Sequence, residues 1–102
     1  MIMATTNDFF LKVIETGLND SDSNVRAAAM RACEGKDVPP ELIEKGLNDS
    51  NWCVRAAAMN ACAGRDVPLA FIEKGLHDST WEVRVAAIES MREQKWCINT
   101  IY

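Results

Sequence analysis

Residues 17–45, GLNDSDSNVRAAAMRACEGKDVPPELIEK, and residues 46–74, GLNDSNWCVRAAAMNACAGRDVPLAFIEK, are two copies of one 29-residue unit. Of the 29 positions nine differ (22, 23, 24, 31, 34, 36, 40, 41 and 42 in the first copy), which leaves 20 identical. A third copy opens at Gly75 and keeps Gly75, Leu76, Asp78, Ser79, Val83, Arg84, Ala86 and Ala87 before it diverges. The residues before Gly17 read as half a unit, because Asp8-Phe9 aligns with Asp37-Val38 and Ile14-Glu15 with Ile43-Glu44. Self-similarity at a fixed period of this size marks an array in which each unit buries its apolar face against the next.

Each unit reads as two helices. The first follows Asp20-Ser21, Asp49-Ser50 or Asp78-Ser79, where a serine hydroxyl suits the N-cap, and Ser79 with Glu82 has capping-box spacing. Its apolar stripe is Val25, Ala28, Ala29, Ala32 and Cys33, small side chains at i, i+3, i+4, i+7 and i+8. Gly35 and Gly64 end it as residues that tolerate positive φ. The second helix follows Asp37-Val38-Pro39 and Asp66-Val67-Pro68, with Leu42, Ile43 and Leu47 inward. It is short, and neither helix would stand alone in water. Gly17, Gly46 and Gly75 fall where turns between units are expected.

The third copy replaces Gly-Arg-Asp by Glu93-Gln94-Lys95 and lacks Val-Pro, so its helix from near Thr80 is expected to run past Met91. The apolar tail Trp96, Ile98, Ile101 and Tyr102 would fold over that end, as terminal repeats are atypical. The expected organisation is one domain over residues 1–102: a half repeat at 1–16, repeats at 17–45 and 46–74, and a divergent repeat and cap at 75–102. Phe9 and Phe10 at one end, and the tail at the other, offer surfaces for homo-oligomer formation by end stacking.

Composition narrows the function. Eleven Lys and Arg against fifteen Asp and Glu give a net charge of −4, and 48% of residues are apolar. Nucleic-acid affinity rests largely on phosphate contacts from Lys and Arg, so this balance argues against it. No apolar run reaches the ~18 residues of a membrane span. Asp8, Lys12 and Glu15 interrupt the segment where a secretory signal would lie, so the expected location is cytoplasmic and the four cysteines are expected to be reduced.

The run Leu18-Asn19-Asp20-Ser21-Asp22-Ser23-Asn24-Val25-Arg26-Ala27-Ala28-Ala29 resembles the HEAT-like repeat. The same core recurs as Leu47, Asp49, Val54 and Arg55, and as Leu76, Asp78, Val83 and Arg84. The period is similar to the short HEAT-like variety also found in bilin lyases, and the Val-Arg…Ala…Pro order also looks like the leucine-rich repeat variant, whose period is shorter. The resemblance implies an all-α fold, a short right-handed α-solenoid of about two and a half to three helix pairs. It also implies a structural ladder in which Asp20, Asp49 and Asp78 bond Arg26, Arg55 and Arg84 between adjacent repeats. Such repeats serve as scaffolds, lyase subunits and DNA-repair proteins, so fold alone does not assign an activity.

The candidate site residues lie elsewhere. Trp52 and Trp81 share one repeat position, where the first copy has Ser23. If exposed, they would form an aromatic ridge with ~10 Å between helices, and tryptophan is enriched at binding hot spots. Positions 24 and 31 are seven apart, on one helix face, and differ in every copy: Asn24, Cys53 and Glu82; Arg31, Asn60 and Glu89. Against this, the indoles could cover the seam and the variable positions could be solvated. His77 is the sole histidine, and no Cys-x-x-Cys occurs, so neither a triad nor a zinc site of three or four ligands can be assembled. The reading is a non-enzymatic module, without cofactor or metal, that binds another protein. The alternatives are a nucleic-acid-binding HEAT-like protein and an accessory or lyase-like enzyme subunit.

Overall fold

A computed structural model describes residues 6–93. The described residues are helical, as the repeat predicts, with no strand among them. They form α1 (Thr6–Leu18), α2 (Ser23–Ala32), α3 (Pro40–Leu47), α4 (Trp52–Ala61), α5 (Leu69–Leu76) and α6 (Trp81–Ser90), then a 3-10 turn at Met91–Glu93. Helices α2, α4 and α6 pack on one another in sequence. Helices α1, α3 and α5 lie against α2, α4 and α6 respectively, and the links from α2 to α3 and from α4 to α5 bring their helices together less closely. The close hairpins are therefore α1–α2, α3–α4 and α5–α6.

Local chemistry sets these bounds, one residue later than the Asp-Ser reading placed them. The N-caps are Asp22, whose carboxylate accepts from the Asn24 N–H at 2.8 Å, and Asn51, whose side-chain oxygen accepts from the Cys53 N–H at 2.8 Å. Asp20, Asp49 and Asp78 instead accept from the N–H two residues on, each at 2.9 Å, closing the turn before the helix. Thr80 caps α6 with no side-chain bond, so Ser79 and Glu82 form no capping box. Helix α6 also stops at Ser90, short of the predicted extension. Gly35 and Gly64 have φ of 73° and 77°, the left-handed backbone expected after α2 and α4.

The glycines of the repeat lie inside helices, not in turns. A β-carbon on Gly17 in α1 would stand 2.9 Å from Ala29 Cβ in α2. One on Gly75 in α5 would stand 2.5 Å from Met59 Sδ and 2.8 Å from Ala87 Cβ. One on Gly46 would overlap Met30 and lie 3.0 Å from Ala58 Cβ. The missing side chain lets the second row approach the first, and a methionine of the preceding repeat fills the notch.

The core runs along the seam between the rows. Its fully buried side chains include Ile14, Met30, Cys33, Ile43, Val54, Met59, Cys62, Ile72 and Val83. The predicted stripe holds in the second and third copies, where Val54 and Val83 are 0% and 1% exposed. In the first copy it fails: Val25 is 40% exposed, and Ala28 and Ala32 are exposed as well. These residues occupy the face that α4 turns toward α2, and in α2 no described helix precedes it. Trp96, Cys97, Ile98, Ile101 and Tyr102 lie outside the described residues, and with them the predicted cap.

Candidate functional site

Two features recur with the repeat, an arginine–aspartate ladder and an outer helix face. In the ladder Arg26 Nε donates to Asp49 Oδ2 at 2.8 Å and its Nη2 to Asp49 Oδ1 at 3.1 Å. Arg55 grips Asp78 with the same two distances. Each guanidinium also reaches back into its own turn. Arg26 Nη1 donates to the Asp20 carbonyl at 2.9 Å, and Arg55 Nη1 to the Asp49 carbonyl at 2.9 Å. The two pairs are largely shielded from water, which strengthens fork-shaped, charge-assisted bonds. Burial alone would raise the Asp49 carboxyl, but the bonds from Arg26 and the Asn51 N–H outweigh it and hold it below the ordinary value. The Arg55 bond holds Asp78 low against a smaller cost of burial.

Arg84 and Asp20 are the two outermost rungs among the described residues. Arg84 makes the intra-repeat bond, Nη1 to the Asp78 carbonyl at 2.7 Å, but no described carboxylate takes its fork. The Asp20 carboxylate closes its turn but accepts from no described arginine. Two further ties between copies were not anticipated. Arg65 Nη2 donates to the Cys33 carbonyl at 2.7 Å while its Nε holds the Ala61 carbonyl at 2.7 Å, joining the C-termini of α2 and α4. Lys45 Nζ donates to Asn19 Oδ1 at 2.6 Å. The first replaces Lys36 of the preceding copy by an arginine, a change that sequence alone could not distinguish from surface drift.

The outer face carries the candidate binding residues. Trp52 and Trp81, the first residues of α4 and α6, are 40% and 62% exposed. Asn24, Arg31, Asn60 and Glu89 are exposed and Glu82 is half-buried. Arg31, Trp52 and Asn60 line one shallow depression between α2 and α4, with Cys53, Ala56 and Ala57. Asn60 and Glu89 line a second, with Glu34 and Arg92. Asn24, Trp81 and Glu82 line neither. A third depression gathers Asp49, Arg55, Lys74, His77, Asp78 and Ser79 beside the ladder. Its two carboxylates are already held by arginine, so none is left to act as a base there.

The described cysteines behave as apolar residues or surface thiols. Among the described residues no three metal-ligating side chains cluster. Burial pushes the Cys33 thiol up, and pushes Cys62 up to about 12, in each case against a smaller opposing pull from Arg65. A thiolate is the reactive form. Brief alkylation of the folded chain at pH 8 should therefore label Cys53, which is exposed, and spare Cys33 and Cys62 until denaturant is added. Peptide mass mapping reads this directly. Equal labelling of Cys62 and Cys53 would contradict the packing described for the seam.

Comparison with known proteins adds one finding. Neither the curated proteins nor the solved structures contain a match to this chain. Residues 5–30 match the model of a family described as the HEAT repeat associated with sister chromatid cohesion. The matched stretch covers α1, the turn with Asp20, and α2 through Met30, so its unit is the close hairpin of the structure. The similarity read from Leu18 to Ala29 is thus a similarity to HEAT repeats, carried by the first helical hairpin.

Proposed function

We propose that this chain is a non-catalytic protein-interaction module, a short α-solenoid that presents one helical face to a protein partner. HEAT repeats generally mediate contacts between proteins, which supports the class. One observation carries the choice of face: the two large aromatic residues at equivalent repeat positions stand in solvent beside the positions that differ between copies. Scaffold positions repeat because packing holds them, and that constraint does not reach an outer face. Trp52, Arg31 and Asn60 provide an indole over a shallow polar-rimmed furrow, the composition of an interface anchor. Trp81, Glu82, Glu89 and Asn24 extend the same face along the stack. The net charge of −4 favours a protein partner over nucleic acid.

The test uses tagged chain to capture partners from source-cell lysate, with and without nuclease, beside the Trp52→Ala/Trp81→Ala variant. A protein bound in stoichiometric amount should survive nuclease and be lost, by about tenfold or more, from the variant. The variant should keep the circular dichroism of the parent. Capture that disappears with nuclease would replace this reading by nucleic-acid binding. A variant that unfolds would return both indoles to a packing role.

A further inference from the structure

We propose that the chain stacks head to tail on a second copy of itself, with α6 of one copy seated on α1 and α2 of the next. The contact would continue the 29-residue step across the junction. Three independent equivalences support it. They involve neither tryptophan, so this proposal stands or falls separately from the interaction face above.

The first is electrostatic. Within the chain, the arginine of each repeat grips the aspartate 23 residues further on, as Arg26 with Asp49 and Arg55 with Asp78. Arg84 presents the same donor fork at one end of the stack, with its intra-repeat bond already made. Asp20 presents the same carboxylate at the other end, with its turn already closed. Among the described residues the stack therefore presents a donor on one side and the matching acceptor on the other, each already oriented by its own turn. Such preorganisation lowers the ordering cost of association.

The second is the knob and socket. Met30 fills the notch at Gly46 and Met59 the notch at Gly75. Ile88 occupies the same repeat position in α6 and is 59% exposed. The corresponding notch is at Gly17, and it opens into an apolar groove lined by Val13, Ile14, Gly17, Val25, Ala28 and Ala32. The third is the flanking apolar surface. Val85 is equivalent to Ala27, which is buried, and to Ala56, which is half-buried, and it is exposed together with Leu76. Val85 and Ile88 on one side, and the groove at Gly17 on the other, are apolar surfaces of opposite shape on opposite ends. Two different patches that meet in this way make a heterologous contact, which propagates unless its rotation closes a ring. The expected product is an open series of oligomers, not a fixed dimer.

Sedimentation velocity of the full chain tests this from about 1 μM to about 1 mM, the range of weak protein contacts. Mean mass should rise continuously with concentration. Asp20→Arg alone opposes two arginines across the junction, and Arg84→Asp alone opposes two aspartates. Each should weaken association by about 30-fold or more, the effect of disrupting one member of a shielded charge pair. Mixing the two single variants should restore it, because every junction then has one acidic and one basic partner. The variant carrying both exchanges should also assemble by itself. Both sites are on the surface, so unchanged circular dichroism excludes unfolding as the cause. A wild-type chain that stays monomeric throughout, or single variants that assemble like the wild type, would overturn the proposal. So would singles that weaken assembly but fail to rescue one another when mixed.

Discussion

Gly75→Val should destabilise the chain by about 2–3 kcal/mol, the upper range for forcing extra atoms into a packed seam. The new Cβ alone would stand 2.8 Å from Ala87 Cβ and 2.5 Å from Met59 Sδ. Met59 ends in a flexible thioether that can swing aside, but the Ala87 Cβ is fixed to the backbone of α6. Helix α5 must therefore move off α6, which loosens Phe71 and Ile72 as well. Valine is a better helix former than glycine by only a few tenths of a kcal/mol, too little to offset this. In a chain of this size the midpoint of thermal unfolding should fall by about 10–20 °C. Gly64→Ala is the informative control. It meets nothing within 4 Å, but its φ of 77° is one that alanine resists, so its cost should be only about 1–2 kcal/mol. Calorimetry or urea titration of both variants decides the point. A Gly75→Val chain as stable as its parent would show that the two rows do not need this close approach.

The same glycines show how far the sequence could be read. Their 29-residue spacing was visible, and so was the helical class, because Ala, Val and Cys recur with a helical period between capping residues. What each glycine does was not visible. A residue without a side chain looks alike in a turn and in a helix notch, and only the position of Ala87 or Met59 distinguishes them. The cap failed for a related reason. Asp20 and Ser21 have the right chemistry for an N-cap, but so do Asp22 and Asn51, and the turn closed by Asp20 moves the helix start forward. The stripe through Val25 failed at one copy only, since periodicity gives a face and says nothing of whether a neighbour covers it.

The candidate surface was legible in part. Copies that differ at positions 24 and 31 point to a face, and Asn24, Arg31, Asn60 and Glu89 are exposed on it. The furrow that unites Arg31 of α2 with Trp52 and Asn60 of α4 depends on the helix-to-helix step, which local patterns do not encode. In the sequence, Phe9 and Phe10 and the apolar tail point to the ends of the stack. Beside Phe9, which is exposed, the structure draws attention to Val25 and Ile88, whose equivalents are buried in the inner repeats, and to Val13 and Val85, whose equivalents are buried or half-buried. Comparing one position across three copies locates them, whereas hydropathy along a single copy does not.

Arg55→Met should cost about 2–3 kcal/mol at neutral pH, since the loss leaves a shielded carboxylate without its cation. Methionine keeps most of the apolar stem, so the change isolates the charged fork. That fork holds both oxygens of Asp78, at 2.8 and 3.1 Å, and the Asp49 and Ser50 carbonyls, at 2.9 and 3.0 Å. It thus joins two repeats and stiffens the turn before α4 at once. Arg84→Met removes the same group where, among the described residues, it bonds the Asp78 carbonyl alone, and should change the stability of the monomer by about 0.5 kcal/mol or less. The two substitutions together separate a seam contact from a generic effect of losing a positive charge. Acid should erase the difference. Asp78 is held below its ordinary value of 3.8 in the fold, so its contribution is complete above that pH and is lost as pH falls through the lower, folded value. The gap between wild type and Arg55→Met should therefore be widest near pH 7 and narrow below about pH 4. Partial shielding should leave most of it intact in 1 M salt, where an exposed pair is screened. A gap that does not change with pH would show that the arginine acts through packing alone, and a gap abolished by salt would place the pair in open solvent.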